Sequence, residues 1–196
     1  MLVREAMTPR PVTVRPDSSV KAALALLDRH SVTMLPVTSA QGVLVGILSE
    51  ADVIRDRVGP DARATMLPPD EARTDFVLDN VSEVMNHRSV TVREDTDLAD
   101  AAELMTSTSV KSLPVVDDHF RVVGVLSRRD IVHLLARSDA DVEREIDDLY
   151  RRLGVTWLVD VSDGLVTVTG PVDEKDRALA VSAASTVAGV VHVRVA

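Results

Sequence analysis

The sequence predicts an α/β protein built from two copies of one β-α-β-β-α unit packed as a pseudo-twofold pair, followed by a small α+β unit. Three observations carry this. Sliding the chain against itself by about 78 residues matches roughly 21 of 52 positions between Val3–Ile54 and Val81–Val132, without a gap. Within each copy the apolar pattern alternates between the two-residue period of a strand and the 3.6-residue period of a helix. From Ser138 the repeat stops and a different pattern begins.

The elements of one copy follow in order. The β-branched runs at Val12–Val14 and Val90–Val92 predict a strand. Ser18 and Thr96 are N-cap candidates for the helix that follows. Its apolar face is Val20, Ala23, Leu24 and Leu27 in the first copy and Leu98, Ala101, Ala102 and Met105 in the second. Next come "MLPV" and "SLPVV", short strands whose proline predicts an exposed or edge position. A turn at "TSAQG" or "DDHF" leads into "VLVGIL" and "RVVGVL", the strongest strand signals in the chain. Ser49 and Ser127 then stand as N-caps of a second helix, with Asp52 and Asp130 in its first turn. Met7 and Met85, at the repeat starts, read as core fillers. These elements place the repeats at 1–58 and 81–137, with a linker at 59–80. The stretch Arg55–Asn80 has three prolines and no sustained period, and is expected to be mostly a loop covering one face.

Residues 138–196 read as a separate α+β unit near the lower size limit for independent folding. "SDADVEREIDDLYRRLGV" predicts an amphipathic helix with Val142, Ile146, Leu149 and Leu153 on one face, acids at its start and arginines at its end. "TWLVDV", "GLVTVTG" and "GVVHVRV" alternate as strands, with a helix over Glu174–Val187 between the last two. Gly164 suits a hairpin turn, Gly170 a strand end before Pro171, and Gly189 the release of the helix into the last strand.

Composition removes several functions. A formal net charge of −9 opposes duplex DNA or RNA as a partner, because affinity for a polyanion comes largely from Lys and Arg displacing counterions. A single nucleotide needs only a local basic cluster. The chain has no cysteine, so it has neither disulfides nor thiolate metal sites. His30, His87, His119, His133 and His192 show no paired metal-ligand spacing. Ser127, Asp130 and His133 lie three apart on one helix without a nucleophile elbow, which argues against a hydrolase. The acidic run Asp139–Asp148 lacks the glycine of a calcium loop and reads as a solvated helix face. The segment "MLVREAMTPRP" has no unbroken apolar run, and no stretch approaches the ~20 apolar residues of a membrane span. A cytoplasmic location is expected. With four aromatic residues among 45% hydrophobic content, the core must be made of small branched side chains.

The duplicated unit, with "PV" at its middle and G-[IV]-L-S-x-x-D near its end, resembles a tandem pair of CBS domains, sometimes called a Bateman module. The resemblance covers Leu2 to Ala136. The tail, through "VSDGLVTVTGPV" and "VAGVVHV", resembles a BON domain.

The first resemblance implies a regulatory, non-catalytic protein with no required cofactor, binding AMP, ADP, ATP or another adenosyl compound in clefts between the repeats. It gives Asp52 and Asp130 to the ribose hydroxyls, and Ser49 and Ser127, at a helix N-terminus, to phosphate. Adenine would lie among Val32, Leu35, Val110 and Leu113 and the strand starts Val12, Thr13, Val90 and Thr91. As local structure the serines are N-caps and the aspartates first-turn acids; ligand binding is the second role the resemblance adds. The copies differ where phosphate would sit. Arg128, Arg129 and Lys111 mark the second, whereas Glu50 and Thr33 replace Arg128 and Lys111 in the first. Phosphate is therefore expected at the second repeat, with the first empty or holding a neutral nucleoside. Solvated surface pairs are the alternative for Arg128 and Arg129.

Val53, Ile54, Ile131, Val132, Leu134 and Leu135 exceed what one small module buries, which predicts a homodimer through these helices. The BON-like tail is expected to bind a protein partner. Two other classes stay open: a ligand-free interaction scaffold, and a peripheral membrane protein using the tail, which the acidic charge opposes.

Overall fold

The computed structural model describes residues 1–57 and 80–196. The first repeat comprises α1 (Val3–Ala6), β1 (Thr8–Pro9), α2 (Val20–His30), β2 (Met34–Thr38), β3 (Leu44–Ser49) and α3 (Glu50–Arg57). The second comprises α4 (Val81–Val84), β4 (Val92–Arg93), α5 (Leu98–Ser107), β5 (Ser112–Val116), β6 (Val122–Ser127) and α6 (Arg128–Leu135). The expected linker, apart from Asn80, lies outside the described residues.

The repeats in sequence are not the packing units. Val3 donates its backbone N–H to Thr96 and Arg4 to Glu94, so α1 belongs to the second repeat; Val81 donates to Ser18 and Ser82 to Pro16, so α4 belongs to the first. Val81 is fully buried with Val14, Val20, Ala23, Leu27, Leu35, Val37, Leu48 and Val53. Val3 is fully buried with Val92, Ala101, Met105, Leu113, Val115 and Leu126. Each core is completed by a valine from the other repeat, and among the described residues neither holds an aromatic one. β1 follows α1 into this exchange and pairs antiparallel with β6 (Thr8 opposite Val125), while Asn86 bridges Ile47 in the same way.

A bridge marks the pseudo-twofold axis. Leu44 donates to the Phe120 carbonyl and Val122 to the Gly42 carbonyl, around Val43 opposite Arg121. Each pair is related by the 78-residue shift, so the bridge maps onto itself.

Three expectations change. The N-caps are Ser19, whose hydroxyl accepts from Ala22 N–H, and Asp97, whose carboxylate accepts from Ala99 N–H, not Ser18 and Thr96. The carbonyls of Ser18 and Thr96 instead receive the exchanged segments. Pro36 and Pro114 are buried, not exposed. Pro36 turns its carbonyl to Val14 N–H, so its missing donor faces a neighbour that makes only one isolated bridge, and no ladder bond is lost. Val53 is 2% exposed and fills its own repeat's core, which leaves Ile54, Val132 and Leu135 as the strongly exposed residues of the set.

The C-terminal unit is α7 (Asp139–Arg152), β7 (Leu158–Ser162), β8 (Leu165–Thr169), α8 (Glu174–Ala184) and β9 (His192–Val195), with strand order β7-β8-β9. It has its own core, where α7 buries Val142, Ile146 and Tyr150. Leu153 is 46% exposed rather than part of the buried face, because α7 ends at Arg152 and Tyr150 takes that position. The β7–β8 turn uses Asp163 and Gly164, both at positive φ, and their N–H groups donate to the Asp139 carboxylate at the start of α7. Arg137 joins this unit to the repeats: its guanidinium donates to the Ala188 carbonyl at 2.9 Å and pairs with Glu145 at 2.7 Å.

Candidate functional site

A cleft of about 770 Å³ opens between the repeats. From the second repeat come Lys111 and Ser112 ahead of and within β5, Val125 and Ser127 of β6, and Arg128, Arg129 and Asp130 at the start of α6. The first repeat supplies the β1 region from Thr8 to Val12 and the stretch from His30, the last residue of α2, to Met34, the first of β2. The exchange explains this mixture, since β1 lies along β6 and carries Arg10, Pro11 and Val12 to the second repeat's serine and aspartate.

Ser127 and Asp130 cap α6 reciprocally. Asp130 N–H donates to Ser127 Oγ at 3.3 Å, while Ser127 N–H and Oγ–H donate to Asp130 Oδ2 at 2.7 and 2.6 Å. Among the described residues Asp130 Oδ1 has no protein partner and is available to a hydroxyl donor. Ser49 and Asp52 repeat the same three bonds at the start of α3, at 3.3, 3.0 and 2.6 Å, outside this cleft. The cap is thus structural in both copies; what differs is its surroundings.

Among the described residues, four cations, Arg10, Lys111, Arg128 and Arg129, line the cleft against one carboxylate, in a chain of net charge −9. Two are engaged. Arg128 Nη2 donates to the Met105 carbonyl in the last turn of α5, at 3.0 Å, where a cation also favours the helix dipole. Lys111 Nζ lies 3.2 Å from Glu50 Oε1. Arg10 and Arg129 have no carboxylate partner among the described residues.

Of the residues singled out from the sequence, Val12, Val32, Lys111, Ser127, Arg128, Arg129 and Asp130 meet here. Leu35 and Leu113 do not line the cleft, since each is fully buried in its own core. Val90 and Val110 pack against the second core, and Thr13, Thr91, Ser49 and Asp52 lie outside the cleft.

Sequence reasoning missed Thr8, Arg10, Pro11, His30, Ser31, Met34, Ser112 and Val125. At Arg10 the sign is in the backbone and not in the sequence. Arg10 sits at φ +49 directly before Pro11, which ordinarily drives its predecessor to extended backbone, and its N–H is held by the Val123 carbonyl at 3.1 Å. Backbone strain of ~1–3 kcal/mol of this kind concentrates at ligand sites. Ser31, at φ +52, caps α2 in the left-handed region, and its counterpart Ser109, at φ +58, follows the right-handed Thr108 cap of α5; both turn the chain sharply toward β2 and β5.

The family model described as the CBS domain matches residues 3–59 and 81–137. A CBS domain-containing protein of Dictyostelium discoideum is 30% identical over 137 residues, which span 70% of this chain and 92% of that protein. The crystal structure of CBSX2 of Arabidopsis thaliana in complex with AMP is 34% identical, covers 67% of this chain and 93% of that one, and has a TM-score of 0.56. The CBS domain pair of protein MJ0100, solved with 5′-methylthioadenosine and S-adenosyl-L-methionine, is 28% identical over 68% of this chain and 94% of that one, with a TM-score of 0.55. With both repeats matched at constant spacing and folded around a shared axis, this chain belongs to the CBS domain family, as a tandem pair.

Proposed function

We propose that the protein is a non-catalytic regulator whose cleft binds an adenine nucleotide. The observation that carries this is the convergence, in one cleft, of four cations and a carboxylate oxygen that has no protein partner among the described residues. Asp130 Oδ1 accepts from the ribose, and Val12, Val32 and Met34 provide an apolar surface for adenine. Arg10, Arg129 and Lys111 take phosphate beside the N-terminus of α6. AMP in CBSX2, and the two adenosyl compounds in the MJ0100 pair, support adenine as the base. The first repeat's Ser49 and Asp52, with Glu50 where the second has Arg128, take a neutral nucleoside or nothing.

A thermal-shift panel of AMP, ADP, ATP, NAD and S-adenosylmethionine tests this. The best ligand raises the melting temperature, and Asp130→Ala weakens it by roughly tenfold or more, in line with loss of charge-assisted bonds of ~1.5–3 kcal/mol. Asp52→Ala leaves the nucleotide response in place. An Asp130→Ala variant that responds like wild type removes the ribose assignment. Silence from every ligand at millimolar concentration favours an interaction scaffold.

The C-terminal unit reads as a BON domain that binds a protein partner, a reading supported by its helix–strand–strand–helix–strand order and by the positive φ of Gly164, Gly170 and Gly189. No helix among the described residues is long and apolar enough to cross a membrane. A homodimer through α3 and α6 is part of this reading, supported by the apolar residues left outside: Ile54, Val132 and Leu135 are 54, 62 and 61% exposed. Light scattering checks it. The wild type has the mass of a dimer and Val132→Asp/Leu135→Asp that of a monomer, whereas a monomeric wild type ends the idea.

A further inference from the structure

We propose that Glu50, a residue outside the cleft, sets how strongly the cleft favours a nucleotide over its nucleoside, by competing with ligand phosphate for Lys111. The inference rests on the adenine-nucleotide reading above and deepens it.

Glu50 opens α3 of the first repeat, and Lys111 precedes β5 of the second, 61 residues away. Their side chains meet across the repeat interface, Nζ to Oε1, at 3.2 Å. Pseudosymmetry does not require this pair. The 78-residue shift carries Glu50 to Arg128 and Lys111 to Thr33, which have no opposite charges to join, and Arg128 is turned to the Met105 carbonyl instead. The bridge is formed once, on the side where Lys111 lines the cleft. Of the four cleft cations, Lys111 is the one held by a carboxylate among the described residues.

The pair is also easily broken. The side chains of Lys111 and Glu50 are 68 and 42% exposed, and ion pairs so exposed hold their partners by only about two- to fivefold. An ammonium on a four-carbon stem can swing from a singly charged carboxylate to a phosphate that carries more charge. A nucleoside brings no such competitor and leaves the pair closed. Glu50 therefore tempers phosphate binding without touching the base or the sugar.

Calorimetric titration of the full-length protein with ADP and with adenosine, at low salt, tests this on wild type, Glu50→Gln, Lys111→Met and the double variant. Glu50→Gln is expected to raise the ratio of ADP to adenosine affinity about two- to fivefold. Lys111→Met lowers the ratio, and the double variant matches Lys111→Met alone, because the effect runs through the lysine. Binding of both ligands with a ratio unchanged by Glu50→Gln overturns the inference and leaves the cleft reading standing. A gain that persists in the Lys111→Met background also overturns it, since Glu50 would then act as a distant charge. If ADP, like adenosine, fails to bind the wild type at millimolar concentration while another ligand of the panel binds, this inference falls alone; if the whole panel fails, the cleft reading falls with it.

Discussion

Gly124 and Gly46 occupy equivalent places in the two "VG" strand motifs, and close approach explains both. A Cβ on Gly124 would overlap Met7 Sδ, with Met7 Cγ 3.1 Å away. One on Gly46 would come within 3.0 Å of both Met85 Sδ and the Asn86 carbonyl. These methionines arrive on the exchanged segments, so the glycines permit the exchange. Alanine at either position is expected to cost ~1–3 kcal/mol as overpacking. The routes of relief differ. Met7→Ala removes the three atoms nearest a Cβ at Gly124, so it restores much of the stability lost in Gly124→Ala. Met85→Ala restores less to Gly46→Ala, because the Asn86 obstacle is backbone. Urea denaturation of the four variants checks the asymmetry; equal rescue would mean that the backbone shifts freely.

At the level of elements, the helix and strand pattern of each repeat was legible because amphipathic period and duplication point the same way. Which elements pack together was not. Nothing in the periodicity of Val3 or Val81 says that each completes the other repeat's core, since a buried valine satisfies either one equally. The cleft inherits that ambiguity. Spacing marked Asp130 and Ser127 as a helix cap and only the family resemblance gave them a ligand, while Arg10 reaches them through the exchange of α1 and β1, and His30 and Ser31 arrive from the end of α2. The one-residue shift of both N-caps has the same origin, because Ser18 and Thr96 present their carbonyls to the incoming segments. Leu35 and Leu113 show the opposite error. A strand between a helix and a second strand buries its side chains inward, so apolar character alone marks core and not cleft.

At the scale of the molecule, the C-terminal unit keeps its own core but is tied to the end of α6, the helix that begins at the cleft. The single tyrosine and the single tryptophan both lie in this unit, Tyr150 and Trp157, with rings edge to face at 5.1 Å between centroids. Each therefore reports on this unit alone. Tyr150 is 1% exposed and donates its hydroxyl to the Ala180 carbonyl at 2.8 Å. Burial, which penalises the phenolate, pushes its pKa from 10.0 up to about 12. The folded state thus holds this proton more tightly than the unfolded chain does. The resulting stability is fully present below pH 10 and is lost as pH rises through about 12. Ultraviolet titration of the phenolate should place its midpoint well above 10. Denaturation followed by Trp157 fluorescence should show the unit weakening between pH 10 and 12. Tyr150→Phe should lose ~1 kcal/mol at neutral pH, as the Ala180 bond disappears, and flatten that part of the slope. A midpoint near 10, or the same alkaline slope in the phenylalanine variant, would mean that the ring is open to water and that this core is looser than its packing implies.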